Sequence, residues 1–403
     1  MFHHGVRPHR SCSRAALAVI GVGLVLTGFN GGCVGDGGET PDPPAVDLPF
    51  DLPAGFPAPR IPADNPITAA KVELGRHLFF DVRLSGNGTQ SCGTCHEPAR
   101  AYTDGKALPV GSTGDAIPRN SPMLANVAWL STYTWANPIL DTLEKQALVP
   151  MFADHPVELG MADHMPEIIA RLEADEAYPA LFQEAFPDAD PVVTDKTIVF
   201  ALTSFQRSLV SGNAPYDRYF NGGEPDALTD EQKLGLQLFN SEVTECYHCH
   251  GGTLFTTAFV AANSSTTERS FENNGLYNID GNGGYPAPNV GLIEFTTEPG
   301  DMGRFRVPTL RNLKWSAPYF HDGSAATLDD VLDHYLAGGR TVVGANAGVG
   351  AASPHKSSLV RPFTLTERER GALLAFIRDA LSDEDFVTNP AYQSPFPAPV
   401  PAP

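Results

Sequence analysis

The chain has 403 residues, of which 42% are hydrophobic and 18% charged, and its formal net charge at pH 7 is −20. This length predicts two or three domains with sizeable cores. A surface this acidic repels nucleic acid and anionic membranes, so we expect no nucleic-acid partner.

The first 32 residues have the pattern of a secretion signal. Arginines precede an apolar run over residues 15–29, which is shorter than the ~20 residues that a membrane-spanning helix needs. Removal of residues 1–32 takes away three Arg and no Asp or Glu, so the net charge changes from −20 to −23. Small residues before Cys33 favour lipidation of that cysteine, whereas Asn30 fits the lipoprotein pattern poorly. Export to the periplasm or cell surface is expected, and an outer-membrane lipid anchor at Cys33 stays open.

Residues 33–60 are rich in Gly, Pro and Asp, which predicts an extended linker or wrapping segment. We expect the folded part to begin near Ile61. Apolar positions at helical spacing over residues 67–80 predict an amphipathic helix that leads into the first of two similar motifs.

Two CxxCH sequences occur in the chain. They comprise Cys92, Cys95 and His96 in the first and Cys246, Cys249 and His250 in the second. The two thiols of such a motif can add to the vinyl groups of one haem while the histidine binds its iron. A CxxC pair alone also suits a redox dithiol, and the two pairs together suit zinc. The repeated adjacent histidine favours two covalently attached haems c.

A repeated phrase precedes both motifs: Leu74-Gly75-x-x-Leu78-Phe79 returns as Leu234-Gly235-x-x-Leu238-Phe239. This repeat predicts a mostly α protein with two tandem cytochrome c-like haem domains. The helix-breaking residues 222–225 separate them. We therefore expect an N-terminal haem domain over residues 61–225 and a C-terminal one over residues 226–403.

Helical periodicity and capping residues predict further helices. They are expected over residues 138–149, 165–174, 194–209, 327–336 and 366–381. Residues 261–303 are dominated by Gly, Asn, Thr and Pro, which predicts a long loop region over a haem or between the domains.

Several motifs, spread in order along the chain, resemble those of bacterial di-haem cytochrome c peroxidases and of MauG, the methylamine dehydrogenase maturation enzyme. They are Trp135, Leu143-Glu144-x-Gln146, Pro156-Val157-Glu158-Leu159-Gly160, residues 307–312 and residues 317–323. Others resemble the MbnH group of methanobactin-associated di-haem enzymes. These are residues 102–105, 134–138, 275–278 and 301–305. The resemblance implies a peroxide-dependent di-haem oxidoreductase.

The resemblance assigns roles near the first haem. Glu158 matches the acid/base that moves a proton between peroxide oxygens, and Gln146 a neighbouring group that holds peroxide. Trp135 matches the indole between the haems. Without the resemblance, Glu158 would be a solvated carboxylate, Gln146 an exposed helix position and Trp135 a core residue. Spacing alone does not distinguish five other candidates over this haem, namely Met123, Met151, His155, Met161 and His164.

The resemblance also separates this chain from the peroxidases. Their first haem is often blocked by a histidine in a loop that here reads Gly111-Ser112-Thr113-Gly114-Asp115, so we expect an open iron. Tyr335, fourteen residues after His321, stands where peroxidases have a methionine ligand and MauG a tyrosine. A phenolate favours higher iron oxidation states than a thioether does. The adjacent His334 is the rival ligand, and the register with His321 favours Tyr335.

Asn120, with backbone oxygens of Ser316 and Pro318, matches a calcium site between the domains. Resemblance to the MbnH group implies that hydrogen peroxide generates a bis-Fe(IV)-like state. That state would convert a tryptophan to kynurenine on a secreted copper-binding partner of the MbnP type. Two alternatives stay open: a peroxidase fed by a small redox protein, and an electron carrier without catalysis.

Overall fold

The computed structural model describes residues 48–397. The predicted signal, Cys33 and the linker up to residue 47 lie outside the described residues. All described residues belong to one compact unit, and the domain boundary at residue 225 stays a prediction. Within residues 48–397, no helix is both long enough and apolar enough to cross a membrane.

The described chain is mostly helical, as predicted, with short helices joined by long connections. The helices are α1 (Ala69–Phe80), α2 (Cys92–Cys95), α3 (Leu143–Phe152), α4 (Met165–Glu173), α5 (Tyr178–Ala185), α6 (Asp195–Ser208), α7 (Pro215–Phe220), α8 (Asp230–Phe239), α9 (Cys246–His250), α10 (Ile293–Thr296), α11 (Leu328–Leu336), α12 (Glu367–Ala375) and α13 (Glu384–Thr388). A π-helical turn, Phe376–Ala380, continues α12. Strands β1 (Phe271–Glu272) and β2 (Phe305–Arg306) pair antiparallel, as do β3 (Thr341–Val342) and β4 (Gly348–Val349).

Capping residues explain where the predicted helices begin. Thr194 caps α6 by accepting a hydrogen bond from the Thr197 amide at 3.1 Å, as the sequence indicated. The helix predicted from residue 138 begins only at Leu143, because Thr142 caps it through the Lys145 amide. Helix α5 was missed altogether.

The internal repeat builds the same helix crossing in each half of the chain. Helix α1 packs on α6, and α8 packs on α12. A Cβ atom added to Gly75 would lie 2.0 Å from the Ala201 carbonyl oxygen, and one added to Gly235 would lie 2.0 Å from that of Ala372. Each repeated glycine therefore lets two helix backbones come into contact, because helix separation depends on the side chains at the crossing.

The partner helices carry a second repeat that the sequence analysis missed. Ala201-Leu202-x-x-Phe205 in α6 recurs as Ala372-Leu373-x-x-Phe376, which runs from α12 into its π-helical turn. Both phenylalanines are buried, one in each of two separate hydrophobic cores. The two halves thus share one packing scheme.

The segment before residue 61 packs against the body of the protein. Phe56 contacts Trp129 edge to face, with ring centroids 5.5 Å apart, and the Trp129 indole N–H donates to the Pro57 carbonyl at 2.8 Å. The ordered body therefore extends N-terminal of the start expected at Ile61, and the described part of the linker is a wrapping segment.

The glycine crossings give a stability prediction. Gly75→Ala and Gly235→Ala should each lower the free energy of unfolding of the holoprotein by about 1–3 kcal/mol, because the added methyl group overlaps a backbone carbonyl. Gly371→Ala, inside α12, is the control. Its added Cβ atom meets only the end of the Glu231 side chain, at 3.3 Å, so stability should stay unchanged or rise by about 0.4–1 kcal/mol. Denaturant titrations measure the free energy of unfolding of all three variants. An equal loss of stability in Gly371→Ala would contradict the proposed helix crossings.

Candidate active site

The first CxxCH sequence forms one helical turn, α2, and presents a histidine suited to bind iron. His96 Nδ1 lies 2.8 Å from the Tyr102 carbonyl oxygen, so Nδ1–H donates there and Nε2 stays free as a ligand. Ala101 and Tyr102 have left-handed backbone (φ 51° and 64°), which turns this carbonyl back toward His96. Burial lowers the pKa of His96, which favours the neutral, ligating imidazole.

The second motif, in α9, is built on the same plan. His250 Nδ1 lies 3.2 Å from the carbonyl oxygens of both Phe255 and Pro308, which again leaves Nε2 free. Burial lowers the pKa of His250 to about 4. Both histidines therefore have the proton distribution of a metal ligand fixed by a second hydrogen bond.

The four motif cysteines fit haem attachment better than a shared zinc site. All four are free thiols, and Cys92 packs against the first core while Cys246 packs against the second. Burial raises the pKa of Cys92 to about 12 and that of Cys95 to about 11. Among residues 48–397, the two pairs do not meet in one metal-binding group. The residues present thus fit two separate thioether-linked haems.

Glu158 lies beside the first motif. Burial is the largest cause of the raised pKa values of Cys92 and Cys95, and the Glu158 charge adds to both. Burial also raises the pKa of Glu158 itself to about 7. The carboxyl group can therefore gain and lose a proton near neutral pH, as an acid/base catalyst must.

The loop of residues 111–115 packs directly on the segment that carries Glu158. The Ser112 amide donates to the Glu158 carbonyl at 2.7 Å, and the Val157 amide donates to Asp115 Oδ2 at 3.0 Å. A Cβ atom added to Gly111 would lie only 1.8 Å from the Val157 carbonyl oxygen. This loop fixes the backbone that carries Glu158.

Helix α3 carries the half-buried Gln146 and supports the same segment, since the Leu159 amide donates to the Pro150 carbonyl at 2.9 Å. No hydrogen bond joins the side chains of Gln146 and Glu158 within residues 48–397. Glu144, two residues before Gln146 in the motif, accepts two hydrogen bonds from Arg207 at 2.6 and 2.7 Å. Burial opposes ionisation of Glu144, but the Arg207 interaction outweighs it and lowers the pKa to about 2. Glu144 is therefore an anchor between α3 and α6.

Tyr335 lines the cavity beside the second motif, together with Cys246, Cys249 and His250. The rival residue, His334, is on a different face of α11. Its Nε2 lies 3.0 Å from the Asn274 carbonyl oxygen, and its ring meets Phe320 edge to face. The geometry thus favours Tyr335 over His334 as the second ligand.

Trp135 was predicted to lie between the haems. It lines the cavity of the second motif, and Thr103, which follows the Tyr102 carbonyl acceptor of His96, lines the same cavity. The Trp135 indole N–H donates to the Asn120 carbonyl at 2.7 Å. On the other side, the Asn120 amide donates to the His321 carbonyl at 2.8 Å.

The residues of the predicted calcium site, Asn120, Ser316 and Pro318, all line this cavity. Asn120 Nδ2 donates to the Lys106 carbonyl at 2.8 Å, and Oδ1 accepts no hydrogen bond within the described residues. An oxygen set of this kind fits calcium, and the ion stays a prediction.

Two residues near the motifs were missed by the sequence analysis. Buried Arg306 donates from its amide to the Trp135 carbonyl at 2.7 Å and from Nε to the Thr134 carbonyl at 2.8 Å. Asp104 Oδ2 is buried without a hydrogen-bond partner in the described structure, and its charge acts on His96. Asp104 lies within residues 102–105 and Arg306 directly follows residues 301–305, so the motifs quoted for the resemblance could have indicated both. Of the other candidates, Met123 lines the cavity, Met151 and Met161 are core residues, and His155 and His164 are exposed.

The two CxxCH cradles define a c-type protein with two covalently attached haems. A family model described as di-haem cytochrome c peroxidase matches residues 69–225. The chain is 35% identical over 365 residues to the methylamine utilization protein MauG of Methylorubrum extorquens, covering 89% of this chain and 92% of the relative. It is 34% identical over 377 residues to the cytochrome-c peroxidase IdrP1 of Pseudomonas sp. strain SCT, with coverage of 89% and 92%.

A solved structure gives a further likeness, a MauG-like protein associated with microbial copper homeostasis. It is 46% identical, with a TM-score of 0.84, and the match covers 86% of this chain and 99% of that one. The chain therefore belongs to the family of di-haem cytochrome c peroxidases and MauG, and it is a di-haem peroxidase-type oxidoreductase.

Glu158 yields a prediction for the reaction with hydrogen peroxide. Because its pKa is about 7, the carboxylate that accepts the peroxide proton forms as pH rises through 7, and the rate should rise with it. Glu158→Gln should slow the reaction by about 10²–10⁴-fold and remove this pH dependence. Asp154→Asn, an exposed change in the same loop, should alter neither. Stopped-flow profiles test this, and an unchanged profile in Glu158→Gln would rule Glu158 out as the base.

The second ligand yields a prediction for redox behaviour. Tyr335→Met should raise the midpoint potential of the second haem by a sizeable part of the roughly 0.8 V range that axial ligands control. His334→Gln, which retains a donor for the Asn274 carbonyl, should leave the potential and the spectrum unchanged. Spectroelectrochemistry measures both, and the reverse pattern would make His334 the ligand.

Proposed function

We propose that this protein uses hydrogen peroxide to oxidise a tryptophan of a secreted copper-binding partner of the MbnP type, giving kynurenine. The observation that carries the proposal is that Tyr335, unlike the adjacent His334, lines the cavity of the second motif. The likeness to the MauG-like protein associated with copper homeostasis supports the choice of partner.

The residues near the first motif supply proton transfer. Two bound haems would provide one iron for peroxide reaction and a second site for an oxidising equivalent. Glu158 would take the proton from one peroxide oxygen and return it to the other. The amide of Gln146, on the helix that supports the Glu158 segment, would donate a hydrogen bond to bound peroxide.

The residues near the second motif would favour the higher oxidation states of the second haem iron. Burial raises the pKa of Tyr335 to about 12, so its phenolate forms only where a metal charge stabilises it. A phenolate donates charge to iron. Trp135, whose indole N–H is held by the Asn120 carbonyl, would carry charge between the two sites.

The overall chemistry balances with peroxide as the oxidant. Two hydrogen peroxide molecules convert one tryptophan side chain to N-formylkynurenine and release two waters; hydrolysis then releases formate and leaves kynurenine. Electrons leave the partner through the enzyme surface, so this scheme needs no large substrate pocket.

The proposal includes export. The leader over residues 1–32 would direct the chain to the periplasm or cell surface, where a secreted partner is present, and Cys33 would provide an outer-membrane anchor if it is lipidated.

Reduction of hydrogen peroxide by a small cytochrome or cupredoxin is the second candidate function. The relatives named as cytochrome-c peroxidases favour it. Rapid turnover with such donors, together with an unmodified partner, would support it. An electron carrier without catalysis would instead leave the first haem unperturbed by peroxide or cyanide.

The test mixes holoprotein, hydrogen peroxide and a co-encoded secreted copper protein, followed by peptide mass spectrometry. The expected result is oxygen gain on one tryptophan of the partner, formed much more slowly by Glu158→Gln and at the parent rate by Asp154→Asn. An unmodified partner at full haem occupancy would refute the tryptophan oxidation and leave the di-haem class intact.

A further inference from the structure

Outside the haem cradles, three side chains converge beside the second motif. Glu242, Glu245 and His248 each offer one ligand atom, and these atoms all lie within 4.8 Å of one another. His248 Nε2 is 2.8 Å from Glu245 Oε2 and 3.9 Å from Glu242 Oε2. We propose that these three residues bind one divalent transition-metal ion of the zinc or copper(II) class.

Both carboxylates are oriented by other side chains. The Tyr247 hydroxyl donates to Glu242 Oε1, and the Arg361 guanidinium donates to Glu245 Oε1. In each carboxylate the Oε1 atom is therefore engaged, and the Oε2 atom faces His248. Metal sites use such outer contacts to aim their ligands.

The buried oxygen of Glu245 lacks a donor. Glu245 is only 8% exposed, and within the described residues its Oε2 atom has no hydrogen-bond partner. His248 Nε2 lies 2.8 Å from this oxygen, and this contact is an ion pair only when the imidazole is protonated. An unsatisfied buried carboxylate oxygen is costly, and a cation placed between the oxygen and the imidazole nitrogen removes that cost.

The donor set selects the kind of ion. One imidazole nitrogen and two carboxylate oxygens suit zinc or copper(II), whereas calcium prefers six to eight oxygens. The side chains of Glu242 and His248 are 77% and 34% exposed, so an ion can enter from solvent and water can complete its coordination. Asn120, Ser316 and Pro318, the predicted calcium ligands, take no part in this group.

The sequence contains the signal, although the sequence analysis left His248 without a role. Glu242-x-x-Glu245-x-x-His248 overlaps the second CxxCH motif. Glu245 also lines the cavity beside Cys246 and His250. An ion held here would place its positive charge at the edge of the second haem cradle.

The test is isothermal titration calorimetry, in which Zn²⁺ is titrated into the holoprotein in the presence of excess Ca²⁺. We expect one equivalent to bind. Glu242→Gln and His248→Asn should each weaken this binding by at least about tenfold, because each removes a ligand atom. Glu298→Gln removes the same charge at an exposed position and should leave the affinity unchanged.

His248 lies inside the haem motif, so the haem content of each variant is measured from its absorption spectrum. Glu242 lies outside the motif, and Glu242→Gln decides the question if His248→Asn binds less haem. Absence of saturable Zn²⁺ binding, or binding with the same affinity in Glu242→Gln as in the parent, would overturn the proposal.

Discussion

Asn120 makes three hydrogen bonds, one of which, to His321, joins the first half of the sequence to the second. Its amide donates to the His321 carbonyl, its own carbonyl accepts from the Trp135 indole, and its side chain donates to the Lys106 carbonyl. A buried polar group that loses its partner costs about 1–3 kcal/mol, so these bonds restrict how the halves can shift. Arg306 adds to the restraint by binding the backbone of Trp135. The hydrogen bonds of Asn120 and Arg306 therefore fix the position of Trp135 on the cavity wall.

The two halves of the sequence share the same backbone arrangement around their CxxCH motifs, but they differ in the reactive side chain beside each motif. Each half crosses two helices at a glycine, forms a helical turn from CxxCH and fixes its histidine through a backbone carbonyl. The difference lies in one side chain per half: Glu158 beside the first motif and Tyr335 beside the second. A carboxyl group that titrates near pH 7 suits proton transfer to peroxide, whereas a phenol suits retention of oxidising equivalents. The asymmetry, more than the repeat, supports the proposed function.

Local features of the fold could be predicted from the sequence because each depends on neighbours in the chain. The CxxCH turns, the glycine repeat and the Thr194 cap are of this kind. Contacts between distant residues could not be predicted, because periodicity does not specify partners far along the chain. The Glu144–Arg207 ion pair and the packing of Phe56 on Trp129 are examples. The register with His321 favoured Tyr335 over His334, but only the structure shows that Tyr335 and not His334 lines the cavity.

The claim on which the account depends most is that Trp135 couples the two haem sites. Its most direct test is rapid mixing of the holoprotein with hydrogen peroxide while the absorbance of both haems is followed. The account predicts that both haems respond together in the parent and in Trp129→Phe, which removes an indole bound to the Pro57 carbonyl away from the cavity. In Trp135→Phe the second haem should lag behind the first. Equally prompt responses of both haems in Trp135→Phe would contradict the account.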